Sequence, residues 1–499
     1  MSLGNATKII SNTFYLFLDW LALTFGGYLF WIIIGKSLSP AEIGRFSTIF
    51  SVSMFLVGFV GLGINAAMMK LFPYYEKKNE RTRIAGTFWW SVKTTVVSSL
   101  VFGGVLWLSS PIISSVISIT RYDVFLIFLI IFATNLVYIT NSYLYGLQRI
   151  KLIFTTDLVF SFSKIAATFP LVVLGLGYLG PIYGLLFSSF VILASRYKTL
   201  PRGGGPVEKK EIWFYSLPIL VSTAGTVFVN QGSILILSII SSTVSVGLFS
   251  LMFFLTSPVK MIPQLISSGT FPLTSQQSEK YEKDSMNRIF YYGIRYSFLF
   301  SVPVLVILTA FPEEIILLFS SEQFVQVAGI APILAAAYLL VGMSTVLINT
   351  LYATGRVNET RNSTLIGGFV NLVFSLTLIP LYGLYGAAFA FLASGFSMAI
   401  YSGAKVKKKL SLIFPLRDIF RITFAAVALY FFVVYSSSLT DIWLITSLLG
   451  LLVYFIILLE SRFFKETDIR MISYIKSKFP KLLQPIFDRI LNLISRFSD

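Results

Sequence analysis

Six ionisable side chains fall inside long apolar runs: Asp19, Lys93, Asp157, Lys164, Lys260 and Arg295. A charge in hydrocarbon costs a few kcal/mol, so each must find a partner, reach the interface on its own stem, or look into water. The bases outnumber the acids, and a cavity that collected these groups would favour an anionic guest. Lys93 lies ~15 Å beyond Arg83, and Lys164 ~20 Å beyond Lys151, at 1.5 Å per helical residue. Both are deep. Lys260 stands between Pro258 and Pro263, where prolines remove backbone bonds and bend a helix. Broken, charged backbone at that depth is tolerated where it lines a watery cavity. Arg295 sits only two turns from a span end and is expected to snorkel outward. Asp19 and Asp157 are either sites for a coupling ion or structural partners of the lysines. Asn230, Gln231, Gln264, Asn349 and Asn371 can bind sugar hydroxyls or join helices to one another.

The elements that must position these groups are membrane helices. Apolar residues make up 56% of the chain and charged residues 12%, about half the charge of a soluble domain. Mean hydropathy is +0.81. Apolar runs near 9–35, 42–69, 84–108, 123–147, 152–174, 179–198, 212–240, 244–271, 289–311, 325–352, 362–380, 384–404, 417–436 and 441–460 are long enough to span ~30 Å of hydrocarbon. Continuous runs predict helices, not barrel strands. The fold class is all-α, a polytopic membrane protein of fourteen spans.

Cysteine and histidine are absent, which excludes disulfides, thiol nucleophiles, histidine relays and the usual zinc or haem ligands. The net charge of +17 does not indicate nucleic acid, because the bases cluster in alternate short loops. Only Lys36, Arg45 and Arg121 lie in the opposite set, so both termini are expected in the cytoplasm. No cleavable leader is expected, since the first apolar run leads into further spans.

A worn duplication runs through the chain at an offset of roughly 200 residues, too long for a solenoid and suited to a duplicated transporter half. IGRFS (43–47) returns as VGLFS (246–250), Tyr145 and Arg149 as Tyr352 and Arg356, and GYLGPIYG (177–184) as GLYGAAFA (383–390). The first copy opens with a turn at LSPAEIGRFS (38–47) between two apolar spans, the second of which ends in GLGI (61–64). Six spans per copy is an even number, so the copies share one orientation and a pseudo-two-fold axis along the membrane normal. The expected divisions are two six-helix lobes at 1–198 and 212–409, two added spans within 410–460 and a tail at 461–499. Between the lobes, 199–211 is a Gly- and Pro-rich cytoplasmic connector, either a hinge or a plain solvated link. In the tail, Leu483, Phe487, Ile490, Leu491, Ile494 and Phe497 form one apolar face, expected to lie on the inner leaflet.

The runs LSPAEIGRFS (38–47), GLGINAAMMKLFPYY (61–75) and YSLP (215–218) resemble those of Wzx-like, O-antigen type polysaccharide flippases. In the second half VGLFS (246–250), SSGTFP (267–272), PEEIILLFSSEQFVQVAGIAPIL (312–334), INTLYATGRVNETR (348–361) and LIPLYGLYGAAFAFLAS (378–394) match in order and spacing. That family lies within the multidrug/oligosaccharidyl-lipid/polysaccharide exporter superfamily. The resemblance implies twelve core helices in two lobes around a V-shaped cavity, plus two appended helices. It implies export of an undecaprenyl- or dolichyl-linked oligosaccharide, its phosphate or pyrophosphate held by cavity bases. Lys36 matches a base that the family often carries before the first turn. Phe253 and Phe254 stand where a second base often follows, and Lys260, two turns on, is expected to substitute.

The expected site therefore comprises Lys93, Lys164, Lys260, Arg295 and Lys36 for the anionic lipid, with Asn230, Gln231 and Gln264 for sugars. Asp19 and Asp157 are the acids available for Na⁺ or H⁺, and whether either ion is used stays open. The expected partners are a lipid-linked oligosaccharide and membrane lipids, with no cofactor, no metal and no nucleic acid. The chain is expected to work as a monomer in the cytoplasmic membrane, with contacts to glycan-assembly proteins left open. It is expected to be a transporter, not an enzyme. Three alternatives rank behind: a cationic-drug antiporter, which should gather acids in its cavity; a glycosyltransferase or polymerase, which the short outer loops disfavour; and a scaffold, which leaves the intramembrane charges without purpose.

Overall fold

Elementary helix chemistry sets the first hairpin. In the computed structural model, which describes residues 3–279, 282–437, 442–465, 468, 469 and 473, with side chains from residue 15 onward, α1 (Leu3–Ser37) and α2 (Pro40–Val60) are separated by two residues. The Ser39 hydroxyl accepts from the Glu42 amide, and the Glu42 carboxylate accepts from the Ser39 amide at 2.9 Å. This reciprocal cap, with Pro40 in the first turn, restarts the helix at once. The turn expected over 38–47 is thus confined to 38–39. α2 stops at Gly61, and Leu62 and Gly63 take positive φ (51° and 71°) before α3 (Ile64–Lys77) sets off anew. The run expected as a span over 42–69 is therefore divided at Gly61–Gly63. The 21 residues of α2 already reach ~31 Å, the thickness of the hydrocarbon.

The first half continues through α4 (Arg81–Leu108), short α5 (Ser110–Val116), α6 (Arg121–Gly146), α7 (Ile150–Val173) and α8 (Leu179–Arg196). The second half begins with α9 (Lys209–Ile240), α10 (Thr243–Leu255) and α11 (Pro258–Glu279). It goes on through α12 (Lys283–Ala310), α13 (Pro312–Phe319), a 3-10 stretch, α14 (Ala331–Ala353), α15 (Val357–Tyr382) and α16 (Leu384–Leu410). Two helices follow, α17 (Leu416–Ser437) and α18 (Trp443–Glu460). Among the described residues, 13 helices are long and apolar enough to cross a membrane. The α10–α11 pair, bent by 44° ahead of Pro258, supplies the fourteenth. This is a multi-pass membrane protein. The 244–271 run, expected as one span, is that bent pair.

The duplication read in the sequence is repeated as backbone geometry. The Arg149 amide donates to the Leu144 carbonyl and the Arg356 amide to the Leu351 carbonyl, each at 2.9 Å. The preceding residues, Gln148 and Gly355, both have positive φ. Gly177 and Gly383, at φ 56° and 54°, stand just ahead of α8 and α16.

IGRFS and VGLFS meet face to face. A Cβ on Gly44 would collide with the Thr243 carbonyl, and one on Gly247 with the Pro40 carbonyl. The starts of α2 and α10 thus cross backbone on backbone, each supplying the glycine the other needs. At the same end the Lys36 ammonium donates to the Leu317 carbonyl of α13, and Gly35 lies 2.7 Å (as a built Cβ) from the Phe319 oxygen. α9 packs along α2, with Gly58 against Thr223 and Gly63 against Ser216. Its counterpart α1 meets the α10–α11 bend chiefly through Tyr28 and Trp31 on Phe254.

The connector 200–208 is neither helix nor strand, and it is laid along α4 instead of hanging in solvent. The Trp89 indole N–H donates to the Pro201 carbonyl at 3.0 Å, Arg83 pairs with Glu208 at 3.0 Å, and Gly86 and Gly205 touch through their backbones. The amphipathic tail expected from Leu483 to Phe497 lies outside the described residues.

Gly44→Ala should force α2 and α10 apart. In spin-labelled Ala41→Cys/Val244→Cys protein, clean because the chain has no native cysteine, the distance distribution should shift several ångströms longer. An unchanged distribution would show that the glycine contact does not hold this end shut.

Candidate functional site

A cavity of about 350 Å³ lies among α1, α2, α6, α7 and α8 and is covered by Phe254 of α10. Lys164 reaches into it from α7. Its ammonium sits 4.8 Å above the Phe30 ring and 5.7 Å from that of Phe160, with no acidic partner among the described residues. Asp157, two turns earlier on the same face, lines the cavity toward the α7 start. It is not free: its carboxylate accepts from Arg196 at 2.6 Å. Arg196 is fully buried at the end of α8 and also donates to Thr156 and Thr140. Asp19 of α1 lies against this Asp157–Arg196 pair, and its buried Oδ1 has no donor. Asn141 and Tyr138 of α6 add polar atoms to the wall.

Across the lobe junction, Lys260 donates to Asn230 Oδ1 at 3.2 Å and likewise has no acidic partner among the described residues. Gln231 is half-buried and Gln264 exposed. Lys93 is exposed on α4, one turn past Trp90, whose ring meets Trp213 of α9 edge-on at 6.2 Å. Asn349 and Asn371 join helices: Asn349 donates to Ser267 at 2.8 Å, and Asn371 to Ser233 at 3.0 Å.

Of the expected site residues only Lys164 and Asp157 line this cavity; Lys93, Lys260, Asn230, Gln231 and Gln264 do not, and two further members are committed elsewhere. Lys36 caps the end of α13 across the lobes and does not line the cavity. Arg295 does not snorkel; it is 0% exposed. Its guanidinium bonds both oxygens of Asp468, at 2.7 and 2.9 Å, and the Phe463 carbonyl at 2.6 Å, while Nε stands 3.0 Å from Asp418. The acids come from α17 and the segment after α18, so Arg295 ties the appended helices to α12. Burial alone would raise the Asp468 carboxyl, but hydrogen bonds from Arg295, Tyr296 and the Lys465 amide outweigh it and hold it below the usual carboxylate range.

Arg196 is a site residue that the sequence does not single out, because at the edge of the basic connector it reads as one more loop base. The available signal was its place inside the 179–198 run. The formal excess of positive charge survives the exchange, since Arg295 leaves the set and Arg196 enters it. Phe254 covers the cavity, whereas Phe253 packs into the second half. Phe254 stacks on Trp31 at 4.8 Å, and Phe253 lies 5.0 Å from Tyr338 and 4.9 Å from Phe391. No cluster of three or more acidic metal ligands exists among the described residues.

Comparison with known proteins fits this arrangement. The profile of a family described as polysaccharide biosynthesis protein matches residues 33–329. A probable low-salt glycan biosynthesis flippase of Haloferax volcanii is 25% identical over 252 residues, covering 50% of this chain and 53% of that relative. The match therefore spans about half the length of the curated relative. Among solved structures, the lipid II flippase MurJ in an inward closed conformation superposes with a TM-score of 0.71 at 17% identity, covering 90% of this chain and 98% of that one. An inward-facing multidrug resistance MATE transporter gives 0.59 at 15% identity, covering 78% and 94%. At such identities the likeness is one of fold.

Removing one partner from a buried ion cluster costs about 3–5 kcal/mol, so Asp468→Asn should lower the thermal stability of the purified protein markedly at neutral pH. The folded carboxyl titrates below its unfolded value of ~3.9, so its contribution is whole above that pH and is lost as pH falls through the folded value. The gap between wild type and Asp468→Asn should close on acidification. A gap independent of pH would contradict the clamp.

Proposed function

The chain belongs to the polysaccharide biosynthesis protein family, and on that premise we propose that it flips a polyprenyl-phosphate- or pyrophosphate-linked oligosaccharide across the cytoplasmic membrane by alternating access. The observation that carries the proposal is Lys164, a base inside a membrane cavity with aromatic neighbours and no ion-pair partner among the described residues, Asp157 on the same wall being held by Arg196. A phosphate supplies what that ammonium lacks, and a charge-assisted hydrogen bond is worth ~1.5–3 kcal/mol. Lys260 faces the same task from the second lobe, and exposed Lys93 offers a first landing point. Asn141, Asn230, Gln231 and Gln264 are the groups for sugar hydroxyls. Carrying those hydroxyls through bare hydrocarbon would cost several kcal/mol per unpaired group, and a hydrated, charged passage removes that cost.

The lobes at 1–198 and 212–409 are the rocking bodies, and 199–211 is their tether. With both termini in the cytoplasm, the Gly44–Gly247 crossing and the Lys36–Leu317 contact close the outer end. The prenyl chain stays in lipid at the sparse α1 contact with the α10–α11 bend, while only the head group enters. Asp19, beside an Asp157 already matched by Arg196, is the group a proton or Na⁺ would neutralise if the cycle is coupled. The same acids favour the second reading, a cation antiporter, whose fold this chain shares. The unpaired lysines oppose it, because they would repel the cargo.

In liposomes loaded with fluorescent lipid-linked oligosaccharide, Lys164→Ala and Lys260→Ala should each slow flipping about tenfold or more. Lys407→Ala, on the exposed end of α16 and away from the cavity, should alter it less than about twofold. Full activity in both the Lys164 and the Lys260 variant would discard the site. Asp19→Asn should abolish acceleration by an imposed proton or sodium gradient while leaving gradient-free flipping. Gradient dependence retained in that variant would remove Asp19 from coupling.

A further inference from the structure

Where the connector folds back on α4 it encloses a second pocket of about 480 Å³, walled by Trp89, Tyr197, Lys198, Pro201, Arg202 and Gly203. Its wall is built, not incidental. The Trp89 indole N–H is spent on the Pro201 carbonyl, which fixes one side, and Gly203, at φ 80° with nothing near its Cβ position, leaves the mouth clear. Lys198 and Arg202 are exposed and have no acidic partner among the described residues. Their neighbour Arg83 is already committed to Glu80 and Glu208, at 3.2 and 3.0 Å. Two uncommitted cations therefore converge beside two exposed aromatic rings.

The level in the bilayer matters as much as the charge. α4 has 28 residues and is ~42 Å long, about 12 Å more than the hydrocarbon needs. Placed at the basic start of the helix, beside Arg81 and Arg83, that overhang sets Trp89 at the head-group layer, where Trp and Tyr collect and Lys and Arg meet lipid phosphates. It sets Lys93 about one turn inside the hydrocarbon, shallower than the sequence reading placed it. Tyr197, 74% exposed, stands at the same level.

We propose that this pocket binds the phosphate head group of an anionic membrane lipid, its phosphate between Lys198 and Arg202 and its glycerol edge against Trp89 and Tyr197. The site is separate from the central cavity and stands whatever that cavity carries. It is joined to the cavity through one helix end: Lys198 lies two residues past Arg196, which holds Asp157, and Thr199 donates to the Arg196 carbonyl at 2.7 Å. Occupancy would stiffen the tether between the lobes at the point where it leaves that ion pair.

The test uses full-length, delipidated protein in detergent, titrated with phosphatidylglycerol, phosphatidylcholine or inorganic phosphate, with melting temperature and native mass spectrometry as readouts. Phosphatidylglycerol should raise the wild-type melting temperature saturably and appear as a discrete bound molecule; the other two should do neither. Lys198→Gln/Arg202→Gln should raise the half-saturating lipid concentration about tenfold or more, while Lys407→Gln/Lys408→Gln, at the exposed end of α16, should leave it unchanged. Equal binding by wild type and Lys198→Gln/Arg202→Gln, or equal loss in both variants, would overturn the site. A response to inorganic phosphate as strong as to phosphatidylglycerol would overturn the lipid assignment.

Discussion

An ionised side chain inside a bilayer must be neutralised or must see water, and that single constraint sorts this protein's interior. Arg295 is neutralised twice over, by Asp418 and Asp468, and serves as the rivet between α12 and the appended helices. Arg196 and Asp157 neutralise each other. Lys164 and Lys260 have no ion-pair partner among the described residues: Lys164 lies over aromatic rings and Lys260 donates to Asn230. A buried pair is weak evidence for function and good evidence for specific assembly, whereas an unmatched base in a cavity calls for an external anion. The separation of structural from functional charge follows from partners, not from depth.

The two copies of the repeat meet directly at their first turns. Gly44 and Gly247 are equivalent positions of the two copies, and each is a glycine because the other copy's helix start occupies the space of its Cβ. The copies diverge beside that contact. α9 lies along α2, while α1 touches the α10–α11 bend through a few aromatic rings. Phe253 and Phe254 belong to that divergence. Phe254 lies over the cavity and Phe253 packs on Tyr338 and Phe391, while beyond the 44° bend before Pro258 Lys260 reaches Asn230.

Most of the fold was legible because its determinants are local. Apolar length gives the spans, Pro258 the bend, and matched strings the repeat. The error at 38–47 was also local: the Ser39–Glu42 cap and Pro40 say that helix resumes there, and a loop reading ignored them. The site was less legible because its determinants are pairings across the chain. Asp157 meets Arg196, 39 residues on, and Arg295 meets Asp468, 173 residues on. No periodicity links such positions, so a lysine bound for the cavity and an arginine bound for a rivet look alike in sequence. The connector at 199–211 shows the same limit, since its glycines read as slack although Gly205 is a close contact on Gly86.

We propose that the cavity beside Lys164 opens to the cytoplasm while the glycine crossing keeps the outer end shut. A single cysteine at Asn141, on the cavity wall, in a chain otherwise free of cysteine, tests it in vesicles of known orientation with a membrane-impermeant thiol reagent. Labelling should proceed from the cytoplasmic face, fail from the outer face, and slow when lipid-linked oligosaccharide is added. Labelling from the outer face alone, or a rate indifferent to that lipid, would contradict the account.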